Sequence, residues 1–253
     1  LTNNPYAKFN KPGPGNNLDL ALWRIVRAST AAPTFFAPET IQFPGLDKPF
    51  VFIDGGLTPY NNPALITYLN ATLPAYRMGW KTGEDNMLVV SVGTGLHPAS
   101  APDLTPGRMN LLYTATSTPA ALMFASSSQQ DMLCRALGKC VVGDALDSEL
   151  GDMIGNQSGA TSVPCFTYAR YNVELTNQGL VSIGCDELIG RDLHRLDAIN
   201  LIHDMQAVGS AVAKSRVRLE HFERFMGQST THEQRQAELH LKHSRGTENA
   251  IAR

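Results

Sequence analysis

The stretch that decides the fold is PFVFIDGGLTPYNNP, at residues 49–63. Its four consecutive apolar residues, FVFI at positions 50–53, predict a strand buried on both faces, as in a parallel sheet covered by helices. Asp54 follows directly, at the strand end where open α/β sheets bind their ligands. The stretch therefore predicts a strand, an acidic residue, a tight turn and a helix, in that order.

The two residues after the acid are glycines. Gly55 and Gly56 are expected to let the backbone turn with positive φ and to keep bulky groups away from the Asp54 carboxylate. The sequence NNP at residues 61–63 supplies turn and capping chemistry, so a helix is predicted to begin near Ala64. The structural alternative for Asp54 is a capping role, because Asp-Gly is a common turn dipeptide.

Composition limits the classes of function. The chain has 253 residues, of which 43% are hydrophobic and 17% charged, so it can bury a large α/β core. Its net charge of −2 gives no electrostatic footprint for nucleic acid, which is therefore not an expected partner. No apolar run approaches the roughly 18 residues of a membrane span. No signal peptide is visible, and because the sequence starts at Leu1 rather than Met, we expect the natural N-terminus to lie upstream.

Hydrophobic periodicity predicts the remaining elements. One part of a larger domain is expected over residues 1–226, followed by a polar tail over residues 227–253. Within the first part the pattern predicts an amphipathic helix at 18–29, a short strand at 40–43, a buried strand at 86–91, a helix-rich region at 109–137, a half-exposed strand at 166–175 and a long helical region at 193–226.

Three further patterns raise binding hypotheses that the sequence does not favour. Gly93 and Gly95 follow the strand at 86–91, but no Gly-Lys-Ser/Thr follows them, so we interpret them as a close backbone approach rather than a phosphate loop. His240 and His243 could hold a metal, but no carboxylate has matching spacing, which favours a solvated tail. No metal and no cofactor are expected.

The four cysteines are interpreted as buried free thiols, because their spacing matches no zinc pattern. A bridge between Cys134 and Cys140 is the alternative for an exported protein.

Four motifs in order carry a family resemblance. They are ASTAAP with FF (residues 28–33 and 35–36), FIDGG (52–56), NNPA (61–64) and SVGTG (91–95). Together they resemble the C-terminal part of a patatin-like phospholipase domain, with specific motifs up to residue 95 and a weaker likeness to residue 213. The resemblance implies a three-layer α/β sandwich, with a central, mostly parallel sheet and helices on both faces, here lacking its N-terminal strands.

The resemblance also implies a chemistry. Patatin-like enzymes hydrolyse lipid esters with a Ser–Asp dyad, in which the aspartate takes the serine proton directly and a glycine-rich loop binds the oxyanion. Carried over by motif, Asp54 is the dyad acid and Gly55 and Gly56 form the active-site turn. The implied partners are a lipid ester substrate and, transiently, a membrane interface.

The nucleophile is missing from this sequence. No serine stands in a Gly-x-Ser-x-Gly elbow, so the serine is expected upstream, on the same polypeptide or on a second chain. This chain alone is expected to be inactive. Candidates for an acyl channel or interfacial lid are Phe35, Phe36, Leu57, Tyr60 and residues 109–124.

Two other functions stay open at this point. The first is a non-catalytic module that keeps the patatin fold to bind lipid or protein, since the serine is absent. The second is a Ser–His–Asp esterase that uses His97, although no elbow accompanies this histidine.

Overall fold

The computed structural model describes residues 4, 6–13, 15–33, 35–43, 45–97, 105, 110–155, 160–193, 195 and 197–226. The chain divides after Val217 into two compact units. The first unit has the element order α1 (Leu22–Ser29), β1 (Glu39–Ile41), β2 (Phe50–Phe52), α2 (Ala64–Thr72), β3 (Leu88–Val92), α3 (Leu111–Leu137), β4 (Lys139–Val142), β5 (Thr167–Tyr171), α4 (Asn177–Ser182) and α5 (Ile202–Arg216). In the second unit, the described residues 218–226 contain a 3₁₀ turn at Leu219–His221.

The main sheet has three parallel strands in the order β3-β5-β4. In its register, Ser91 of β3 stands beside Arg170 of β5. Helices α2 and α3 supply one hydrophobic core against this sheet, in which the rings of Tyr68 and Phe166 lie 4.6 Å apart. The α/β class and the parallel sheet predicted from the sequence are therefore confirmed.

A second core lies beyond the carboxyl end of β5. It is built by α4, α5 and the turns between them, and its buried members are Val173, Leu180, Ile183, Cys185, Leu188, Leu193, Leu201 and Val208. The predicted helical region at 193–226 is interrupted, since the α-helix within it is Ile202–Arg216. The predicted boundary at residue 226 coincides with the end of the described residues and stays a prediction.

The strand before Asp54 differs from the expectation. Strand β2 pairs antiparallel with β1 in a separate two-stranded ribbon, with Thr40 opposite Val51. Val51 is 66% exposed, and Phe50 and Ile53 are also exposed. The prediction of a parallel strand buried on both faces is therefore wrong for the described part of the chain. An apolar run reports a tendency to be buried, but it does not identify the surface that covers it.

The ribbon is held against α1. A small core of Ala28, Ile41 and Phe43 joins the helix to the two strands. Arg24 also reaches from α1 to β1, where its Nε lies 2.9 Å from a carboxylate oxygen of Glu39. Helix α1 and the ribbon thus form one packed group that ends at Asp54.

Strand β5 was predicted to be half-exposed, and this is also wrong. All five of its residues are buried, because it lies between β3 and β4. Its polar side chains make internal hydrogen bonds: Thr167 Oγ1 donates to the Glu84 carbonyl at 2.8 Å, and Arg170 donates to Ser91. Alternating polarity therefore marked internal hydrogen bonding here, and not a solvent-facing side. Strand β4 and helix α4 were not predicted.

The four cysteines are free thiols, and Cys134, Cys140 and Cys185 are buried as predicted. Burial raises the pKa of Cys134 to about 12 and that of Cys140 to about 11, because a thiolate is poorly solvated in the core. Neither is a ready nucleophile at neutral pH. In the part of the chain that the structure describes, no helix has the length and apolar character to cross a membrane.

These two thiols predict a loss of stability at alkaline pH. Above the ordinary thiol pKa of 9.0 the unfolded chain loses these protons while the folded chain keeps them, so the free energy of unfolding falls as pH rises. Between pH 9 and the folded-state values, the slope is about 1.4 kcal/mol per pH unit for each thiol. Urea unfolding from pH 7 to 11 measures it, and a Cys134→Ala/Cys140→Ala variant should lose stability less steeply. Equal slopes for both proteins would contradict the assignment.

Candidate functional site

The candidate site is built on residues 54–63, which we call the acid turn. It connects β2 to α2 through two 3₁₀ turns, Gly55–Leu57 and Pro59–Asn61. The two turns are joined by hydrogen bonds, because the Thr58 N–H donates to the Gly55 carbonyl at 2.9 Å and the Asn61 N–H donates to the Thr58 carbonyl at 3.0 Å. The acid turn is therefore an ordered segment that begins at Asp54.

Asp54 is half-buried and held at two points. Its backbone N–H donates to the carbonyl of Ala31, just beyond α1, at 2.9 Å. Its Oδ1 accepts a hydrogen bond from the Gly56 N–H at 2.8 Å, which is the capping role named as the structural alternative. Among the described residues, none donates to Oδ2 or pairs with it. One carboxylate oxygen thus orients the side chain, and the other is available to accept a proton.

The two glycines act differently from the prediction. Neither Gly55 nor Gly56 has a positive φ, since both belong to a 3₁₀ turn, so that part of the expectation is wrong. The expectation about space is supported: a Cβ on Gly56 would lie 3.3 Å from Oδ1 of Asp54, tighter than an ordinary contact. A Cβ on Gly55 would lie 3.3 Å from the Cβ of Tyr60. The glycines therefore let the turn close tightly around the carboxylate.

The far end of the acid turn is fixed by its two asparagines. Asn61 Nδ2 donates to the Met123 carbonyl in α3 at 3.1 Å. Asn62 is 2% exposed, and its Oδ1 accepts hydrogen bonds from the Ser91 hydroxyl at 2.9 Å and from the Ala64 N–H at 3.3 Å. The turn chemistry predicted for residues 61–63 is present in the Asn62–Ala64 bond, and α2 begins at Ala64 as predicted, but its N-cap residue is Pro63, which makes no side-chain capping bond.

Two buried polar residues behind the turn were missed by the sequence reasoning. Ser91 accepts a hydrogen bond from Nη1 of Arg170 at 2.8 Å, and both residues are buried. Within the described ranges no carboxylate forms an ion pair with Arg170. The signal that could have found them is the pair of polar residues near the ends of two predicted strands, Ser91 in VVSVG and Arg170 in YARYN.

Beyond β3, Gly93 and Gly95 make the close backbone approach predicted for them. A Cβ on Gly93 would lie 2.4 Å from Oδ1 of Asn172, and a Cβ on Gly95 would lie 2.7 Å from the Leu175 side chain. Gly95 also has a φ of +99°. His97 follows in an exposed position, with Nδ1 3.4 Å from the Leu175 carbonyl oxygen. The structure thus places His97 in the extension of β3 rather than in the acid turn.

The metal hypothesis cannot be followed into the structure, because His240 and His243 lie outside the described residues. Within the described residues, no three His, Cys, Asp or Glu side chains are grouped so that they could hold a metal ion.

The described residues line a groove and a more open cavity. A groove of about 230 Å³ runs between α2 and β3, and an open cavity of about 490 Å³ lies beside α5. Asp54 lines neither of them. Among the acyl-channel candidates, Phe35, Phe36 and Tyr60 are exposed, and Met109 lies outside the described residues. The described residues therefore hold an oriented carboxylate without a closed substrate cleft.

Comparisons with known proteins give one informative similarity. No family model matches the chain, and no solved structure matches it. The chain is similar to "Probable inactive patatin-like protein 9" of Arabidopsis thaliana, with 26% identity over 190 residues. The match covers 74% of this chain and 42% of that relative. This similarity supports a relationship to patatin-like proteins, and the α/β structure is compatible with that fold.

The geometry of Asp54 predicts which substitutions destabilise the turn. Asp54→Ala removes the acceptor for the Gly56 N–H and should lower the free energy of unfolding by about 1 kcal/mol, as for other capping residues. Asp54→Asn keeps an acceptor oxygen in the same place, so its loss of unfolding free energy should be clearly smaller than that of Asp54→Ala. Urea unfolding compares the two variants, and equal losses would show that this hydrogen bond does not stabilise the turn.

Proposed function

We propose that this chain is the aspartate-bearing part of a patatin-like lipid acyl hydrolase, in which Asp54 activates a serine supplied by an upstream half of the same domain. The observation that carries the proposal is the Asp54 carboxylate, which the turn orients through Oδ1 while Oδ2 is unengaged by any described residue. The ordered motifs and the similarity to a patatin-like protein support the family. The upstream half belongs either to the same polypeptide or to a second chain.

The proposed chemistry follows from one free carboxylate oxygen. The serine Oγ attacks the ester carbonyl carbon while its proton passes to Oδ2 of Asp54, and the proton then leaves with the departing alcohol. Water hydrolyses the acyl-enzyme with the same carboxylate as base. The hydrogen bond from Gly56 to Oδ1 stays in place through both steps, so it holds the base without occupying the oxygen that reacts.

Exposed apolar surfaces support an upstream half. Leu22 and Trp23 of α1 are exposed, as are Val51 of β2 and Val92 of β3. Strand β3 is also an edge of the main sheet among the described strands, and an open apolar edge is a template for another strand. Covering these surfaces would bury the strand before Asp54, as its sequence predicts.

The substrate class is proposed from the helix beside the acid turn. Residues 111–130 of α3 carry no charged side chain, and the turn is bonded to this helix through Asn61 and the Met123 carbonyl. An uncharged wall next to the base suits an acyl chain better than a charged substrate. The proposed substrate is therefore a lipid ester, reached by transient contact with a membrane interface.

The second candidate function is a non-catalytic patatin-fold module that binds lipid or protein. Two observations favour it: the similar Arabidopsis protein is named as probably inactive, and Asp54 already has a structural role as a cap. In this case the acid turn would be kept for folding alone, and the chemistry would be absent from the complete protein.

Asp54→Asn in the complete polypeptide separates these two functions. The variant keeps the capping oxygen and loses the base, so turnover of a lipid ester should fall by on the order of 10² to 10⁴. Hydrolysis of a short-chain phospholipid measures it, with Asp47→Asn, in the exposed loop before β2, as the matched control. A fluorophosphonate probe should label the wild-type polypeptide at a serine upstream of this chain. Wild-type turnover in Asp54→Asn, or no hydrolysis and no labelling at all, would reject the hydrolase.

The upstream half makes a second prediction, about surface accessibility. Val51 and Val92 are 66% and 74% exposed here, and Val163, in a loop, is 67% exposed. Cysteines placed at 51 and 92 should react with maleimide much more slowly in the complete polypeptide than in the 253-residue chain. The Val163→Cys control should react at a similar rate in both. Equal protection at all three positions, or at none, would argue against a specific covering half.

A further inference from the structure

A continuous path of hydrogen bonds joins the acid turn to the centre of the main sheet. Nη1 of Arg170 donates to the Ser91 hydroxyl at 2.8 Å, and that hydroxyl donates to Oδ1 of Asn62 at 2.9 Å. We call these three residues the relay. They are buried, with 2% exposure for Asn62 and 7% for each of the other two. Because water has little access to these groups, breaking a hydrogen bond in the relay leaves a buried polar atom without a partner, which costs free energy.

The direction of each bond follows from the chemistry of the three groups. A serine hydroxyl has one proton, and an arginine side chain donates but does not accept. Since Arg170 uses the oxygen of Ser91 as an acceptor, the Ser91 proton is free to point at Asn62. The Asn62 amide is oriented independently, because its Oδ1 also accepts the Ala64 N–H at the start of α2. The relay therefore has one consistent arrangement.

The relay is anchored on the main sheet. Arg170 belongs to β5, the central strand, and stands directly beside Ser91 in the parallel register. Its guanidinium is buried without a carboxylate partner among the described residues, so the hydrogen bond to Ser91 carries part of its solvation. Loss of the Ser91 hydroxyl would leave both a buried charge and a buried amide oxygen short of a partner.

The opposite end of the acid turn is held by different contacts. The Asp54 N–H is bonded to Ala31, and the internal bonds of the two 3₁₀ turns lead from Gly55 through Thr58 to Asn61. The acid turn is thus bonded to Ala31 on one side and, on the other, to the Met123 carbonyl through Asn61 and to the relay through Asn62. Because the acid turn is closed by its own hydrogen bonds, a shift of Asn62 is expected to move the Asp54 carboxylate as well.

We propose that Asn62, Ser91 and Arg170 are positioning residues that set the place of the Asp54 carboxylate. The inference rests on the proposed function, because the geometry matters for turnover only if Asp54 is the base. In this proposed role the three residues act through Asp54 and not by contact with the substrate. Their effect is on how often Oδ2 stands where it can take the serine proton, so they should influence kcat much more than KM.

The first test is Ser91→Ala in the complete polypeptide. We expect kcat to fall by on the order of 10²-fold, with little change in KM. The two proteins are compared at equal concentrations of active sites, which are counted by titration with a fluorophosphonate. Amide hydrogen exchange over residues 54–63 should rise about tenfold. Thr167→Val is the matched control, because it deletes a buried hydroxyl that donates to the Glu84 carbonyl, outside the relay, and it should change neither quantity. An equal loss of kcat in both variants would show a general packing effect and overturn the proposal.

The second test uses two substitutions of similar size at Asn62. Asn62→Asp keeps the oxygen that accepts from Ser91 and Ala64, whereas Asn62→Leu removes it. If the relay positions the base, the Asp variant keeps kcat within about tenfold of wild type and the Leu variant loses on the order of 10²-fold. A purely structural role predicts the reverse order, because leucine buries no new charge.

The two proposals fail in different ways. If Asp54→Asn abolishes turnover but Ser91→Ala and Asn62→Leu keep the wild-type kcat, the relay is overturned and the proposed hydrolase stands. If Asp54→Asn keeps turnover, both are overturned.

Discussion

The hydrogen bond from the Ser91 hydroxyl to Oδ1 of Asn62 connects the two parts on which the candidate site depends. On one side is the parallel sheet, whose central strand carries Arg170, and on the other is the acid turn that begins at Asp54. Together with the bonds of Asp54 to Ala31 and of Asn61 to Met123, it joins the acid turn to the rest of the fold, and it does so through buried groups that are anchored on the central strand of the main sheet.

The acid turn shows how a structural and a chemical role can share one side chain. Oδ1 of Asp54 caps a 3₁₀ turn, and Oδ2 is not used by any described residue. Sequence reasoning treated capping and catalysis as alternatives, but the geometry permits both at once. The capping bond is therefore not evidence against a base, and it supplies the fixed orientation that a base needs.

The sequence predicted local features of the fold well and packing partners poorly. The start of α2 at Ala64 and the close approach at Gly93 were predicted because turn and capping chemistry depends on neighbours in the chain. The burial of Val51 was not, because it depends on surfaces distant in sequence. The burial of Arg170 was not predicted either, since its strand was expected to be half-exposed and its partner Ser91 comes from another strand.

The candidate site shows the same contrast between features that depend on neighbouring residues and features that depend on distant ones. Asp54 and its glycines were found from a motif of neighbouring residues, whereas the relay was missed because its members are separated by 29 and 79 positions. The similarity to a patatin-like protein agrees with the motif-based resemblance, yet the similar protein is named as probably inactive. This similarity alone therefore does not decide between an enzyme and a binding module.

The most direct measurement of the central claim is a crystal structure of the complete polypeptide. With Asp54 as the base, its Oδ2 is expected about 2.6–3.2 Å from the Oγ of an upstream serine, with Oδ1 still bonded to the Gly56 N–H. Strand β2 is also expected to be covered by upstream residues. An Asp54 carboxylate that faces solvent, with no serine within reach of Oδ2, would contradict this claim.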